Sequence, residues 1–423
     1  MLGANLKVLP VLVCRKEERW EKTFGKTVEE LGDNLSGKVQ VLKGFIINEE
    51  KEVSTLKESL TEADAILLYK PHLGLENCVI KIAEFGLPLI IFNEGGPTQK
   101  ALDALEYIYP RKNVWVAIDY HDINSLLELL LVKKKIENTK ILVLNTDYPF
   151  WERWLSRISG GIEAIKNKFG IEIKCIKSDK VVNKWKDMDE ERAKKIADKW
   201  IGEAKSVLEP DEGDVIAVAK LYLVMKDLLN EYEAEALTMA YGDDPLPVPC
   251  FAYTNLRDEG IPAACEADIN SLLSMIILHH LTDKPSFMGG IGFESDISLT
   301  IDHCVAPLKM KGYDTPPGFY ILRDYHKEKF IGSVTAFVMM DINQEVTICR
   351  LDGDLRNMLV AKGRILKCVD LEDHCRVTVK IRVVDARKFI HTTSGNHHVM
   401  VYGDYGERLR ELNELFGIAT IES

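Results

Sequence analysis

Glu266 and three histidines carry the chemistry that this sequence offers. Glu266 lies in IPAACEADINSLLSM, between an apolar run and the start of a predicted helix, whereas His303 ends one strand-like segment and His397 and His398 begin another. Carboxylates and imidazoles can transfer protons and bind divalent metals. Each also has a structural interpretation, because an acid at a helix start is stabilised by the helix dipole and a single histidine often packs in a core. Spacing alone leaves both interpretations open, and Asp268 keeps the structural one.

Two glycine-rich segments are candidates for anion binding. NEGGPT (93–98) follows a predicted strand and opens a predicted helix, where backbone N–H groups can hold an anion. GGIG (289–292) is the second segment. Neither contains G-x-G-x-x-G or G-K-[ST], so neither carries a dinucleotide or ATP fingerprint.

The segments that must position these residues predict an α/β fold with two doubly wound parallel-sheet domains and a mainly antiparallel β (α+β) C-terminal domain. Apolar strands alternate with amphipathic helices through the first half, which is typical of parallel sheets covered on both faces. The predicted domains are 1–137, 138–284, which carries the CEAD segment, and 285–423, which ends in a closing helix.

Individual segments support this division. The predicted strands of the two α/β domains are 6–14, 39–47, 63–71, 88–96, 113–119, 140–147, 171–177, 214–220 and 247–253. The predicted helices between them are 26–35, 77–86, 98–108, 150–168 and 187–209. The C-terminal domain has predicted strands at 335–342, 345–351, 363–369 and 375–385, separated by turn signals, and a predicted helix at 406–418.

Composition excludes several classes of function. The chain has 423 residues, 54 Lys+Arg and 66 Asp+Glu, and this net charge of −12 argues against non-specific nucleic-acid binding. No apolar run approaches the ~18 residues of a membrane span. Charges follow the first fourteen residues at once, which favours a buried strand over a signal peptide. Nine scattered cysteines without C-x-x-C predict reduced thiols in a cytoplasmic protein.

The chain resembles the L-fucose isomerase / L-arabinose isomerase family. The resemblance rests on NLRDEGIPAACEADINSLLSMIILHHLTDKPSF (255–287), LTIDHCVAP (299–307) and SGNHHVMVYGDYGERL (394–409), in the order of the family's C-terminal half. It implies two α/β domains before a β-rich domain, and homo-oligomers (trimers or hexamers) with sites near subunit interfaces. It also implies interconversion of aldoses and ketoses through an enediol(ate), with Mn²⁺ or another divalent ion such as Mg²⁺ or Co²⁺.

The resemblance further implies roles for single residues. Glu266 matches the family's first acidic metal ligand and base. His397 matches the late histidine ligand, and His398 replaces it if the alignment shifts by one residue. His303 resembles the histidine that binds metal in arabinose isomerases, and it either binds the ion or polarises a substrate oxygen.

One departure from the family pattern concerns its second acid. Gly289 and Gly290 occupy those positions here, and glycine has no side chain with which to bind metal or move a proton. Either Glu294 or Asp296 supplies the second catalytic carboxylate from a shifted loop, or the site has changed its chemistry.

Lys220 and Tyr222 are candidate substrate-binding residues. They follow the predicted strand 214–219, and α/β sheets bind ligands at the carboxyl ends of their strands. A helix-capping lysine and a packed tyrosine are the alternative. Asn93 and Glu94 occupy the equivalent strand end in the first predicted domain and would reach a neighbouring subunit's site.

The sequence therefore predicts a metal-dependent aldose–ketose isomerase that acts on a free sugar. Two alternatives are a family relative with altered chemistry and a non-catalytic two-lobed sugar-binding protein. The internal CEAD and the late NHH argue against the binding protein, which needs no set of metal ligands. The particular sugar stays open, because specificity depends on loop contacts that a fold does not determine.

Overall fold

The chain forms two compact units, Met1–Lys135 and Ile136–Ser423, in a computed structural model. The structure describes residues 6–16, 18–34, 37, 39–71, 74–92, 99–108, 113–241, 245–324, 333–371 and 375–423. The predicted domain boundaries near 137 and 284 stay predictions.

A parallel sheet organises the first unit, as the alternation of apolar strands and helices predicts. Its described strands are β1 (Leu6–Val13), β2 (Val39–Val41), β3 (Phe45–Ile47), β4 (Ala65–Tyr69), β5 (Leu89–Phe92) and β6 (Val114–Ala117). Its described helices are α1 (Glu18–Asn34), α2 (Lys57–Leu60), α3 (Glu76–Ala83), α4 (Gln99–Glu106) and α5 (Tyr120–Glu137), with a 3₁₀ turn at Glu50–Leu56. The strand order is β2-β1-β4-β5-β6, with β3 also paired to β1. Every residue of β1 except Lys7, and every residue of β4 and β5, is buried, which explains their continuous apolar sequences.

The described residues of the second unit form three sheets. Its described strands are β7 (Lys140–Leu144), β8 (Glu172–Ile176), β9 (Ser206–Val207), β10 (Ala236–Met239), β11 (Ala263–Ala264), β12 (Phe287–Ser295), β13 (Ser298–His303), β14 (Tyr320–Asp324), β15 (Val334–Val338), β16 (Glu345–Leu351), β17 (Asn357–Val369), β18 (Val377–Val383), β19 (His397–Tyr402) and β20 (Ala419–Glu422). Its described helices are α6 (Pro149–Leu155), α7 (Gly161–Phe169), α8 (Ser178–Lys186), α9 (Glu190–Glu203), α10 (Glu212–Tyr232), α11 (Cys250–Asp258), α12 (Ile269–Thr282), α13 (Ala386–Thr392) and α14 (Gly406–Leu415).

One of these sheets is parallel and has the order β11-β10-β7-β8. A second, small sheet has the order β15-β14-β9 and joins β9 to strands more than 100 residues later in the chain. The parallel sheet confirms the predicted α/β character of this part of the chain.

The third sheet closes on itself. Its strands run β16-β19-β12-β13-β18-β17, and β17 pairs again with β16, so these six antiparallel strands form a barrel-like ring. The strand β20 adds to β17 in parallel. The predicted antiparallel character of the C-terminal region is confirmed, and the predicted strand 345–351 has the observed bounds of β16.

Two predicted strands are wrong. Residues 214–220 belong to α10, because Asp211 and Asp214 form a reciprocal capping box that starts a helix there. The apolar run that suggested a strand is a helix buried on most of its faces. Residues 250–253, within the predicted strand 247–253, begin α11 directly after Pro249. No helix among the described residues has the length and apolar character that crossing a membrane requires.

Candidate functional site

The carboxyl ends of three parallel strands in the second unit converge on one region. Tyr241 follows β10, and Cys265 and Glu266 follow β11. The Tyr241 hydroxyl lies 2.9 Å from Cys265 Sγ. Asn145 follows β7, and its side-chain N–H donates to the Ala240 carbonyl at 3.2 Å. Because open α/β sheets bind ligands at this edge, the location suits a site built on the turn after β11.

The turn that carries Glu266 has an unusual backbone. Glu266 and Ala267 have φ angles of 59° and 56°, the left-handed region that residues other than glycine rarely adopt. Together with Cys265, these two residues form the turn between β11 and Asp268. Asp268 caps α12 by accepting a hydrogen bond from the Ser271 backbone N–H at 3.1 Å. Strain of this kind persists where the surrounding structure fixes it, and it concentrates at functional sites.

His397 lies between two of the acids from this turn. Its Nδ1–H donates to Asp268 Oδ2 at 3.1 Å, and its Nε2 lies 4.0 Å from Glu266 Oε2. In the neutral tautomer with the proton on Nδ1, the Nε2 lone pair faces Glu266. The ring also stacks on Trp154 of α6, with centroids 5.9 Å apart and planes at 9°. The position and tautomer of His397 are therefore fixed by its neighbours.

Asp268 is fully buried, yet it stays ionised. Burial alone raises the pKa of Asp268, but the hydrogen bond from His397 and the charge of Arg350 outweigh burial and hold that pKa below its usual range. The Arg350 guanidinium lies 3.6 Å from Asp268 Oδ2, and it also donates to the His397 carbonyl. Sequence reasoning missed this role of Asp268. Its only local signal is the position two residues after Glu266 in CEAD.

His303 ends β13 beside these groups. Its ring centroid lies 5.2 Å from that of His397. One ligand atom from each of Cys265, Glu266 and His303 lies within 4.8 Å of the others. We call Cys265, Glu266, His303 and His397 the Glu266 cluster.

The hydrogen bonding of His303 determines what the ring can offer. Its Nδ1 accepts from the Cys304 backbone N–H at 2.9 Å. In the neutral ring the proton is then on Nε2. This favours polarisation of a substrate oxygen over metal binding, the two roles that the family resemblance left open for His303.

The donor set of the Glu266 cluster fits a hard divalent ion. Glu266 Oε2 and His397 Nε2, 4.0 Å apart, can each lie about 2 Å from one ion between them. Burial raises the pKa of the Cys265 thiol, so this cysteine remains a neutral neighbour rather than a thiolate ligand. Carboxylate and imidazole donors without a thiolate suit Mn²⁺ or a similar ion.

His398 points to a different environment from His397. Its Nδ1–H donates to the Asn396 carbonyl at 3.0 Å, and its Nε2 accepts from the Thr393 hydroxyl at 2.7 Å. Burial lowers the pKa of His398 to about 3, and the ring packs against Phe389. Both ring nitrogens are occupied within the core, so of the two candidate histidines only His397 is directed to Glu266.

The other predicted site residues are not brought to this cluster. Glu294 and Asp296 lie at the exposed tip of the β12–β13 hairpin, paired with Lys380 and Arg387. Glu294 is four residues from Gly290, roughly 13 Å along an extended strand.

Lys220 and Tyr222 lie in α10, not at the end of a strand. Lys220 Nζ lies 5.4 Å from the Trp185 ring centroid, and the Tyr222 hydroxyl donates to Glu259. Tyr222 matches its structural alternative, a packed tyrosine, whereas Lys220 lies inside α10 and not at the helix end that a capping lysine would occupy. Asn93, Glu94 and the whole segment 93–98 lie outside the described residues.

The chain has relatives among sugar isomerases. It is 22% identical over 321 residues to a sulfoquinovose isomerase of Alkalicoccus urumqiensis, and this match covers 71% of the chain and 68% of the relative. Sulfoquinovose isomerases of Priestia aryabhattai and Priestia megaterium are each 26% identical over 239 residues, which cover 52% of this chain and 52% of each relative. The chain therefore spans about half the length of these two relatives. The matches show similarity to sugar isomerases at low identity over 52% to 71% of the chain.

No family model matches the chain. The arabinose-binding protein AraP from Geobacillus stearothermophilus is similar over 66% of this chain and 88% of its own, at 15% identity and a TM-score of 0.18. GanP, a glucose-galactose binding protein of the same organism, covers 65% of this chain and 91% of its own, at 12% identity and a TM-score of 0.16. TM-scores this low carry no argument about fold or function.

Proposed function

We propose that this protein is a divalent-metal-dependent aldose–ketose isomerase that acts on a free sugar through an enediol(ate). The observation that carries the proposal is the meeting of Glu266 with His303 and His397, which come from distant segments, at the carboxyl edge of a parallel sheet. The relationship to sulfoquinovose isomerases supports the same reaction class.

Glu266 and His397 are the residues that would hold the ion. When bound, a divalent ion supplies Lewis-acid polarisation of adjacent sugar oxygens. Asp268 keeps His397 in the tautomer whose Nε2 accepts a metal, as carboxylates behind histidine ligands do.

The chain's own groups act on the proton that moves between carbons. Moving a carbonyl between C1 and C2 transfers one proton from C2 to C1 and another from the O2 hydroxyl to O1, and the second can pass directly between these adjacent oxygens. The half-buried Glu266 carboxylate, held on a strained turn, is the base that we assign to this transfer. His303 Nε2–H donates to the oxygen on which negative charge develops, which stabilises the enediolate.

The proposal also includes the candidate sugars and the oligomeric state. Sulfoquinovose is the sugar named for the relatives, and we include it with L-fucose and L-arabinose, the sugars of the family that the sequence resembles. A trimer or hexamer with sites near its interfaces is the assembly implied by the resemblance.

The test is a panel of these aldoses with Mn²⁺, with ketose formation followed by NMR. We expect turnover of at least one aldose, its loss on addition of a chelator and its recovery with Mn²⁺. The variant Glu266→Gln should lose activity by at least about 10³-fold and bind Mn²⁺ more weakly. The matched control Glu407→Gln removes a carboxylate that is 79% exposed on α14 and should change neither quantity. Full activity and full Mn²⁺ affinity in Glu266→Gln would falsify the proposed role.

A further inference from the structure

A small cavity lies between α11, α12 and the segment that leads into β12. Its volume is about 10 Å³, which is room for about one water-sized group. Its polar lining consists of Arg257, His279, Lys284, Ser286 and Tyr313, and none of the lining residues is acidic. We call it the Arg257 cavity.

Arg257 brings a buried positive charge to this cavity. The residue is 1% exposed, and burial lowers its pKa to about 10, which leaves the guanidinium charged near neutral pH. The guanidinium donates to the Ala263 carbonyl, at 2.8 Å from Nε and 2.6 Å from Nη2, and through Nη1 to the Val305 carbonyl. Each Nη therefore keeps a second N–H. No acid in the described part of the chain forms an ion pair with Arg257.

The adjacent acid does not supply this missing negative charge. Asp258 accepts hydrogen bonds from the backbone N–H groups of Leu308 and Lys309, at 3.1 and 2.9 Å, and it does not line the cavity. Burial raises the pKa of Asp258 to about 7, so its carboxyl is only partly ionised near neutral pH. Since buried charges are normally paired, the charge of Arg257 points to a counter-ion from solution.

Ser286 gives an independent indication of a ligand. It lines the cavity and is 4% exposed, and its hydroxyl forms no hydrogen bond with the described part of the chain. A buried hydroxyl without a partner is unfavourable, and a ligand that accepts a hydrogen bond removes that cost. Lys284 adds positive charge, because its ammonium group is hydrogen-bonded to a carbonyl oxygen, that of Tyr402 at 3.1 Å.

We propose that the Arg257 cavity binds a monatomic anion, chloride, with Arg257 and Ser286 as its hydrogen-bond donors. A water molecule would satisfy the same donors but would leave the buried guanidinium charge uncompensated, whereas an anion neutralises it. Sulfate and phosphate, each with several oxygens, exceed a space for one water-sized group.

The position of Arg257 indicates what the anion does. Arg257 joins α11 to the Ala263 carbonyl of β11, three residues before Glu266. An anion that neutralises Arg257 therefore stabilises the packing behind the turn that carries Glu266. The inference does not depend on the proposed isomerase function, because it concerns the stability of the folded chain.

Urea unfolding in mixtures of potassium chloride and potassium gluconate at constant ionic strength tests the inference. A ligand that binds only the folded state raises the unfolding midpoint as its concentration rises. We expect chloride to raise the midpoint of the wild-type protein. Ser286→Ala and Lys284→Met should each need about tenfold more chloride for the same rise. Ser274→Ala is the control, because it removes a buried hydroxyl that donates to the Asn270 carbonyl and does not line the cavity. Its midpoint should fall, with the wild-type dependence on chloride.

Diffraction from crystals of the wild-type protein soaked in bromide locates the anion, because bromide scatters anomalously. An anomalous peak beside Arg257 and Ser286, together with a weakened chloride dependence in Ser286→Ala or Lys284→Met, supports the inference. A water molecule at this position in the presence of bromide overturns it. A wild-type midpoint that does not respond to chloride, or an equal response in wild type and both cavity variants, also overturns it. Each of these results leaves the aldose assay, and with it the proposed function, to be decided separately.

Discussion

His397 Nδ1 donates to Asp268 Oδ2 across 3.1 Å, although 129 residues separate them in the sequence. The contact joins the first strand residue of β19 to the cap of α12, and both groups are buried. It fixes which nitrogen of His397 faces Glu266. The turn after β11 and the barrel therefore depend on each other at this site.

The variant Asp268→Asn tests this dependence. Asparagine caps a helix about as well as aspartate, so α12 should retain its start. A neutral amide orients the His397 tautomer poorly, and we expect Mn²⁺ affinity to fall about 10–100-fold, as it does when carboxylates behind histidine ligands are replaced. Titration of free Mn²⁺ by electron paramagnetic resonance measures this. Asp211→Asn, at the cap of α10, is the matched control and should leave the affinity unchanged.

The stacking of Trp154 on His397 gives a second prediction. Removal of a large buried aromatic costs about 3–5 kcal/mol of stability wherever it occurs. Trp200 is equally buried but packs edge-on against Tyr222 and Phe251. We expect Trp154→Ala and Trp200→Ala to lose similar stability in urea unfolding, whereas only Trp154→Ala weakens Mn²⁺ binding in protein shown to be folded by circular dichroism. Equal Mn²⁺ affinity in both variants would mean that Trp154 contributes stability alone.

The sequence predicted some parts of this structure better than others. Strands such as β16 have either alternating or continuous apolar residues over a few positions, so the local sequence pattern was enough to predict them. The continuous apolar run of α10 was interpreted as a strand, because a helix that is buried on most faces shows no amphipathic period. The capping box of Asp211 and Asp214 is the local signal that would have identified the helix, and the prediction of a strand did not use it.

The candidate site depends on pairings that no local pattern contains. Glu266 and His397 were named from residue type and resemblance, but their contact is tertiary. The choice between His397 and His398 follows from the side of β19 on which each projects. The pairing of Gly290 with Asp302 requires the strand register, which is set by the closed sheet and not by either segment alone.

Asp258 gives a prediction about pH. Burial raises the pKa of Asp258 to about 7, although the backbone N–H groups of Lys309 and Leu308 donate to its carboxylate. Between about pH 3.8 and pH 7, the folded state therefore keeps a proton on Asp258 that the unfolded state has already released. This contribution to stability is complete below about pH 3.8 and is lost as the pH rises through about 7.

We expect Asp258→Asn to gain stability relative to wild type as the pH rises from 5 to 8.5, by up to about 3 kcal/mol. Urea midpoints for both proteins across this range measure the difference. Glu233→Gln is the control. It replaces a carboxylate that is 84% exposed, and its urea midpoint should change with pH in the same way as that of wild type. A difference between Asp258→Asn and wild type that is independent of pH would contradict the raised pKa.

Gly289 and Gly290 are adjacent in β12, and alanine should affect them differently. A Cβ at Gly289 would lie 2.7 Å from Ile301 Cγ2 and 2.8 Å from the Asp302 carbonyl oxygen, so the neighbouring strand backbone must move. The three atoms nearest to a Cβ at Gly290 would be side-chain atoms of Asn396 and Asp302, none nearer than 3.3 Å, and the Asn396 side chain can shift. We expect Gly289→Ala to lose about 1–3 kcal/mol and Gly290→Ala less than 1 kcal/mol in urea unfolding. Glycine at 289 is then required by packing against β13, whereas the sheet tolerates alanine at 290. Equal losses in the two variants would contradict this distinction.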